Sequence, residues 1–171
     1  SHTWSHKDLA KNPYAGDIEL AKQEIEMGIS AVHAAVGAPI SPFFRFPALQ
    51  HPPELMSYLA ERNIASFSTD LDSFDFRLRK ADKMIEAVMT KLKKHGKGIV
   101  LLHDFQHATG EAAMDLLNDL KAGGYKIVFM KPKFPVTTIA SYDQQILSAV
   151  KGPGGGGDGR PTSSVVRTIA E

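Results

Sequence analysis

The run Ile99-Val100-Leu101-Leu102 restricts the fold more than any other stretch of the chain. It follows Gly96 and Gly98 and passes straight into His103-Asp104. A short unbroken apolar run reads as a strand covered on both faces, the usual state of strands in a parallel sheet. Parallel neighbours cannot be joined by a tight hairpin and need crossover connections, usually helices. The sequence on both sides supplies such segments.

Upstream, Asn12-Pro13-Tyr14-Ala15-Gly16-Asp17 is a turn-rich loop ending in an N-cap. The spacing of Ile18, Ala21, Ile25, Ile29, Val32 and Val36 predicts one face of a long helix, stopped by Gly37 and Pro39. Phe43 and Phe44 read as a short buried strand that delivers Arg45 to its far end. Pro52-Pro53 opens a second helix, with Leu55, Met56 and Leu59 inward. Ile64 to Thr69 reads as a strand that empties into an aspartate-rich loop. A third helix turns Met84, Ile85, Val88 and Leu92 inward, and a fourth turns Ala113, Leu116, Leu117 and Leu120 inward. Gly123-Gly124 then leads to a last strand, Tyr125 to Met130. Alternation of this kind predicts an α/β layer or a (β/α) barrel. Residues after 131 are expected to add little to a core, and the glycine-rich stretch from Lys151 to Gly159 reads as a linker or disordered tail.

The 171 residues, 43% of them hydrophobic, suffice for one domain with a substantial core. A formal charge of +1 gives no sign of a nucleic-acid or acidic partner. Cysteine is absent, which excludes disulfides, thiolate zinc sites and cysteine nucleophiles. Any metal must therefore be held by nitrogen and oxygen. No apolar run approaches the roughly 20 residues of a membrane span.

In a parallel α/β fold, sites form where strands end and loops begin. The unusual polar residues fall at those ends: Arg45; Asp70, Asp72 and Asp75; His103 and Asp104. His2 and His6 stand four residues apart, the spacing that puts two imidazoles on one face of a helix or helix-like turn. Each has a plainer reading: paired surface histidines, a surface cation, a solvated aspartate turn, a hydrogen-bonded core histidine. Their coincidence at equivalent strand ends favours a site.

In order and spacing these residues resemble the polysaccharide deacetylase family, the NodB-like carbohydrate esterases of family four. His-Ser/Thr-x-x-His is matched by His2-Thr3-Trp4-Ser5-His6, and Arg-x-Pro-Tyr by Arg45-Phe46-Pro47-Ala48. Asp-x-Asp-x-x-Asp-Trp is matched by Asp70-Leu71-Asp72-Ser73-Phe74-Asp75-Phe76, and Leu-x-His by Leu101-Leu102-His103. The resemblance covers roughly residues 1–130. It implies a distorted (β/α) barrel over residues 1–136, with its opening strands missing, and an extension over 137–171. It implies His2 and His6 as ligands of a divalent ion, zinc or else cobalt or nickel. His103 would be the general acid, Asp75 its orienting carboxylate, and Arg45 the residue that holds the catalytic base. The Ala48 amide would help bind an oxyanion, and Phe76 and Leu101 would wall a slot for the acetyl methyl.

Two motif positions depart from the pattern, Ala48 for tyrosine and Phe76 for tryptophan. The family's first motif, Thr-Phe-Asp-Asp-Gly, has no counterpart in the chain. It supplies the base and the third metal ligand, so the chain reads as the C-terminal portion of such a domain, with the rest cleaved off, present as a separate chain or simply not included in this stretch. The expected activity is metal-dependent removal of N-acetyl groups from an amino-sugar polymer such as peptidoglycan or chitin, in the periplasm, the cell envelope or outside the cell. The alternatives are an inactive carbohydrate-binding relative and an O-acetyl esterase of the same family. A small-molecule-binding α/β module would explain the strand-end residues but not the motif order.

Overall fold

Asp17 sets the start of the longest helix. Its carboxylate accepts hydrogen bonds from the amides of Glu19 and Leu20, two of the donors that a helix start leaves open. Helix α1 then runs Ile18–Val36 and ends at Gly37, whose φ of 67° is the left-handed value that favours glycine. These are the boundaries expected from the sequence. The computed structural model describes residues 1–151. The glycine-rich tail after Lys151 lies outside them.

The described residues form two compact units, one of residues 1–65 with 134–151 and one of residues 66–133. In the first, α1 buries Ala21, Ile25 and Ile29 against Phe44 of β1 (Phe43–Phe44), Phe46, and Leu55 and Leu59 of α2 (Pro53–Glu61). Strand β1 pairs with β2 (Ala65–Ser66). Glu26, on α1, is fully buried and would be costly there alone. Arg62 meets it with Nε at 2.8 Å and Nη2 at 3.0 Å, and the Tyr58 hydroxyl donates at 2.6 Å. The same guanidinium donates to the Thr137 carbonyl, so one buried carboxylate ties together α1, α2 and the segment before α5 (Ala140–Lys151). Val136 and Ile146 are buried. The expectation that residues after 131 add little to a core therefore fails, because two well-spaced apolar side chains suffice to anchor a helix whose overall pattern is weak.

In the second unit, α3 (Ala81–His95) buries Met84, Val88 and Leu92 against Leu71 and against Ala112 and Leu116 of α4 (His107–Ala122). Strands β3 (Leu71–Asp72) and β4 (Val100–Leu101) pair in parallel, Leu71 opposite Val100 and Asp72 opposite Leu101. A strand thus runs through the start of the aspartate cluster, where a loop was expected.

Strand and helix alternate only in part, since β2 runs on to β3 and α4 to α5 with no intervening element of the other kind. Among the described residues both sheets are two-stranded and open. Tyr125 to Met130 is not a strand. Ile127, Val128 and Phe129 are 73%, 78% and 81% exposed. An apolar, extended run becomes a strand only where another edge supplies hydrogen-bond partners. Two inward faces also shift: Met56 and Leu117 are exposed, and α4 buries Ala108, Ala112 and Leu116 rather than Ala113. Steps of four decide that face, and Leu117, one residue past Leu116, lies about 100° round the helix from it.

Candidate active site

The first unit carries His2, His6, Arg45 and Ala48. Residues 1–6 form no helix. The segment is instead pinned along its backbone: the Ser1 amine donates to the Phe43 carbonyl, the Arg45 amide to the Ser1 carbonyl, and the Trp4 amide to the Glu24 carbonyl. Ser5 adds its amide and hydroxyl to the Glu24 carboxylate, at 2.9 and 2.8 Å. Left-handed φ values at Thr3 (65°) and His6 (57°) fold the chain back, and the two imidazoles meet with centroids 4.8 Å apart. Of the two arrangements expected, a helix or a turn, it is a turn that brings the pair together. The close approach needs Gly28 on α1, since a Cβ there would stand 2.5 Å from the Thr3 carbonyl carbon.

His2 Nδ1 is hydrogen-bonded to the Arg45 carbonyl. A carbonyl only accepts, so Nδ1 carries the proton and Nε2 keeps its lone pair. Burial pushes the His2 pKa down, the carbonyl opposes that shift, and the charges of Arg45, His6 and the Ser1 amine add to the lowering. The neutral, ligating form is thereby favoured. As a donor set for a metal, the pair fits but is partial. Among the described residues no group of three or more histidines or carboxylates could hold an ion. Arg45 forms no ion pair among them, and Ala48, with φ 52°, is an exposed residue.

The second unit carries the aspartates, Phe76, Leu101 and His103, and its three aspartates do different work. Asp70 accepts the Ile99 amide at 2.7 Å and steadies the approach to β4. Asp72 accepts the Phe74 amide at 2.8 Å, an Asx turn that supports Phe74 at φ 55°. Asp72 matches the plainer reading of a turn, and Asp70 is a structural clamp onto a distant stretch of main chain. Asp75 does not. Its carboxylate is inaccessible to solvent and lies against His103, with Nδ1 at 2.7 Å from Oδ1 and the His103 amide at 2.6 Å from Oδ2. Burial pushes this carboxyl up, but the bonds from the His103 ring, the His103 amide and Thr109 outweigh it, and the pKa lies below the ordinary carboxylate value.

With Nδ1 bound to Asp75, His103 turns Nε2 away from the carboxylate, and its side chain is 25% exposed. Phe76 meets the imidazole edge-on at 6.2 Å and Phe105 lies 5.6 Å away. Phe76 is 44% exposed, whereas Leu101 is buried in β4. A carboxylate-held imidazole with one free nitrogen, beside exposed aromatic rings, can donate or accept a proton from a bound molecule.

Sequence reasoning missed Thr109 and Glu24. Thr109 donates its hydroxyl to Asp75 Oδ2 at 2.8 Å. A hydroxyl in the first turn of a helix that follows a strand-end histidine was the available signal. Glu24 sits inside the apolar pattern of α1, and nothing local marked it.

No protein-family model and no curated protein matches the sequence. Solved structures do. A peptidoglycan deacetylase of Bdellovibrio bacteriovorus aligns with TM-score 0.68 and 26% identity over 79% of this chain and 37% of its own. The peptidoglycan deacetylase PdaC of Bacillus subtilis gives 0.62 and 20%, over 86% and 63%. A pseudoenzyme of carbohydrate esterase family 4 from Bacillus anthracis gives 0.61 and 23%, over 74% and 42%. The fold is the α/β fold of carbohydrate-active deacetylases. It is the fold seen in these carbohydrate esterase family 4 and peptidoglycan deacetylase structures. The chain spans between 37% and 63% of the length of these three structures.

Proposed function

We propose that the chain belongs to a metal-dependent hydrolase that removes N-acetyl groups from an amino-sugar polysaccharide of the peptidoglycan or chitin type. The observation that carries this reading is the Asp75–His103 pair, a fully buried carboxylate on Nδ1 of a part-exposed imidazole. In this reading His103 Nε2 protonates the departing amine, and Asp75 holds the tautomer and stabilises the imidazolium. The Ala48 amide donates to the developing oxyanion, and Phe76 and Leu101 border the acetyl methyl. His2 and His6 hold the divalent ion, zinc or else cobalt or nickel. When bound, that ion polarises the carbonyl and lowers the pKa of water.

The third ligand and the base carboxylate come from the Asp-Asp motif of another segment, and Arg45 holds that base. The absence of an ion pair on Arg45 among the described residues supports this assignment, as does the greater length of the solved relatives. The same segment carries the strands that complete a distorted barrel. No helix among the described residues is long and apolar enough to cross a membrane. Activity on such polymers places the protein in the periplasm, the cell envelope or the medium.

Acetate release from an acetylated chito-oligosaccharide or a peptidoglycan fragment, by the intact protein with zinc, tests the reading. Turnover should collapse in a His103→Ala variant that still folds, and unchanged turnover removes His103 from the acid role. The pseudoenzyme among the relatives favours a second reading, carbohydrate binding without hydrolysis. Polymer binding with no acetate released by the intact protein selects it.

A further inference from the structure

We propose that Thr109 is a positioning residue for His103 and acts through Asp75. The proposal rests on the reading of His103 as the proton donor. The Asp75 carboxylate is held by three donors: His103 Nδ1 on Oδ1, and the His103 amide and Thr109 hydroxyl on Oδ2. Two of the three belong to His103 itself. The ring bond moves with the imidazole, and the amide holds Oδ2 from the main chain that follows β4. Thr109 is the side-chain anchor from outside His103.

Its element is well suited to that task. Thr109 lies in the first turn of α4, where its amide donates to the Gln106 carbonyl at 3.0 Å. On either side of it Ala108 and Ala112 are buried, at 4% and 0% exposure, so the turn that carries the hydroxyl is packed down. The Asp75 amide donates to the Ser73 hydroxyl at 3.3 Å. Among the described residues, Thr109 is the donor outside His103 that checks rotation of the carboxylate about its own side-chain bonds. The consequence is chemical. An Oδ1 that stays aimed at Nδ1 keeps the proton there and leaves Nε2 as the working nitrogen. A carboxylate free to turn allows the other tautomer, with Nε2 protonated in the neutral ring and Nδ1 unpaired. A hydrogen bond to a charged group is strong enough to bias this choice by about tenfold.

Thr109→Val keeps the shape and removes the hydroxyl, and Thr109→Ser keeps the hydroxyl. Imidazole nitrogen and proton NMR of the full chain reads the His103 tautomer directly. The Nδ1–H form and its slowly exchanging proton should persist in the parent and in Thr109→Ser, and should be lost or mixed in Thr109→Val. In acetate release by the intact protein, kcat should fall about tenfold in Thr109→Val, with KM within about twofold. Thr109→Ser should restore the parent value. An unchanged Nδ1–H signal in Thr109→Val overturns the positioning role. A changed signal with unchanged turnover upholds it and overturns the proton-donor reading instead. Should Thr109→Val not fold, Thr109→Ala takes its place in the same comparison: a parent-like signal overturns the proposal and an altered one supports it.

Discussion

His2 and His103 are held by opposite means. His2 hangs on the main chain: its partner is the Arg45 carbonyl, its segment is tied by backbone bonds, and its place depends on a missing side chain at Gly28. His103 is held by side chains, a fully buried carboxylate that is itself gripped by a hydroxyl. Backbone-held histidines move when the chain moves, whereas a histidine held by a buried carboxylate moves only if a costly polar cluster is broken. The first arrangement suits an ion that pulls its ligands into place. The second suits a proton transfer that cannot wait for rearrangement.

The comparison breaks most directly at Asp75. Asp75→Ala leaves the His103 amide and the Thr109 hydroxyl without their acceptor, and should cost roughly 3–5 kcal/mol in urea unfolding. His2→Ala removes one carbonyl-bound imidazole and should cost no more than about 1 kcal/mol in the metal-free protein. Equal losses would show that the two settings do not differ in kind.

A smaller effect separates them by pH. Both groups have folded-state pKa values below their ordinary ones, so each contributes stability that is present above its unfolded pKa and lost as pH falls. For His2 the loss begins near pH 6.5, and for Asp75 below about pH 4. Thermal unfolding of metal-free protein should decline in two steps on acidification. His2→Gln should flatten the upper step alone and Asp75→Asn the lower.

The smallest effect on stability comes from Gly28→Ala. A mid-helix alanine is favoured over glycine by about 1 kcal/mol, but its Cβ would displace Thr3. The clash with the Thr3 main chain outweighs the helix preference, so a net loss of no more than about 1 kcal/mol in unfolding free energy is expected. At least about a tenfold loss of zinc affinity by titration calorimetry should accompany it. Unchanged affinity would mean that the His2–His6 turn is not set by its contact with α1.

The same contrast explains what the sequence revealed. Asp17, Gly37 and Gly96 carry their capping roles in their residue type, so α1 and the end of α3 could be placed closely. The order of Arg45, Asp75 and His103 was visible because side chains do that work. What holds His2 was not visible, because carbonyls and a hydrogen atom at Gly28 have no letter of their own. Asp70, Asp72 and Asp75 look alike as residues; the motif order pointed to the third, and its burial against His103 sets it apart from the other two. The Tyr125–Met130 run misled because a strand needs a partner edge, which no single segment encodes.

That exposed run also governs how the protein behaves in bulk. Ile127, Val128, Phe129 and Met130 form a short β-prone apolar stretch of the kind that self-associates into stacked strands. Lys126 precedes it, and Lys131, Pro132 and Lys133 follow it. Such flanking charges and prolines act as gatekeepers, since like charges repel when two copies align and proline offers no amide to the ladder. The repulsion is electrostatic and fades as the screening length shortens. Solutions of this chain should therefore keep best at low ionic strength, and salting is the condition under which they should first turn cloudy.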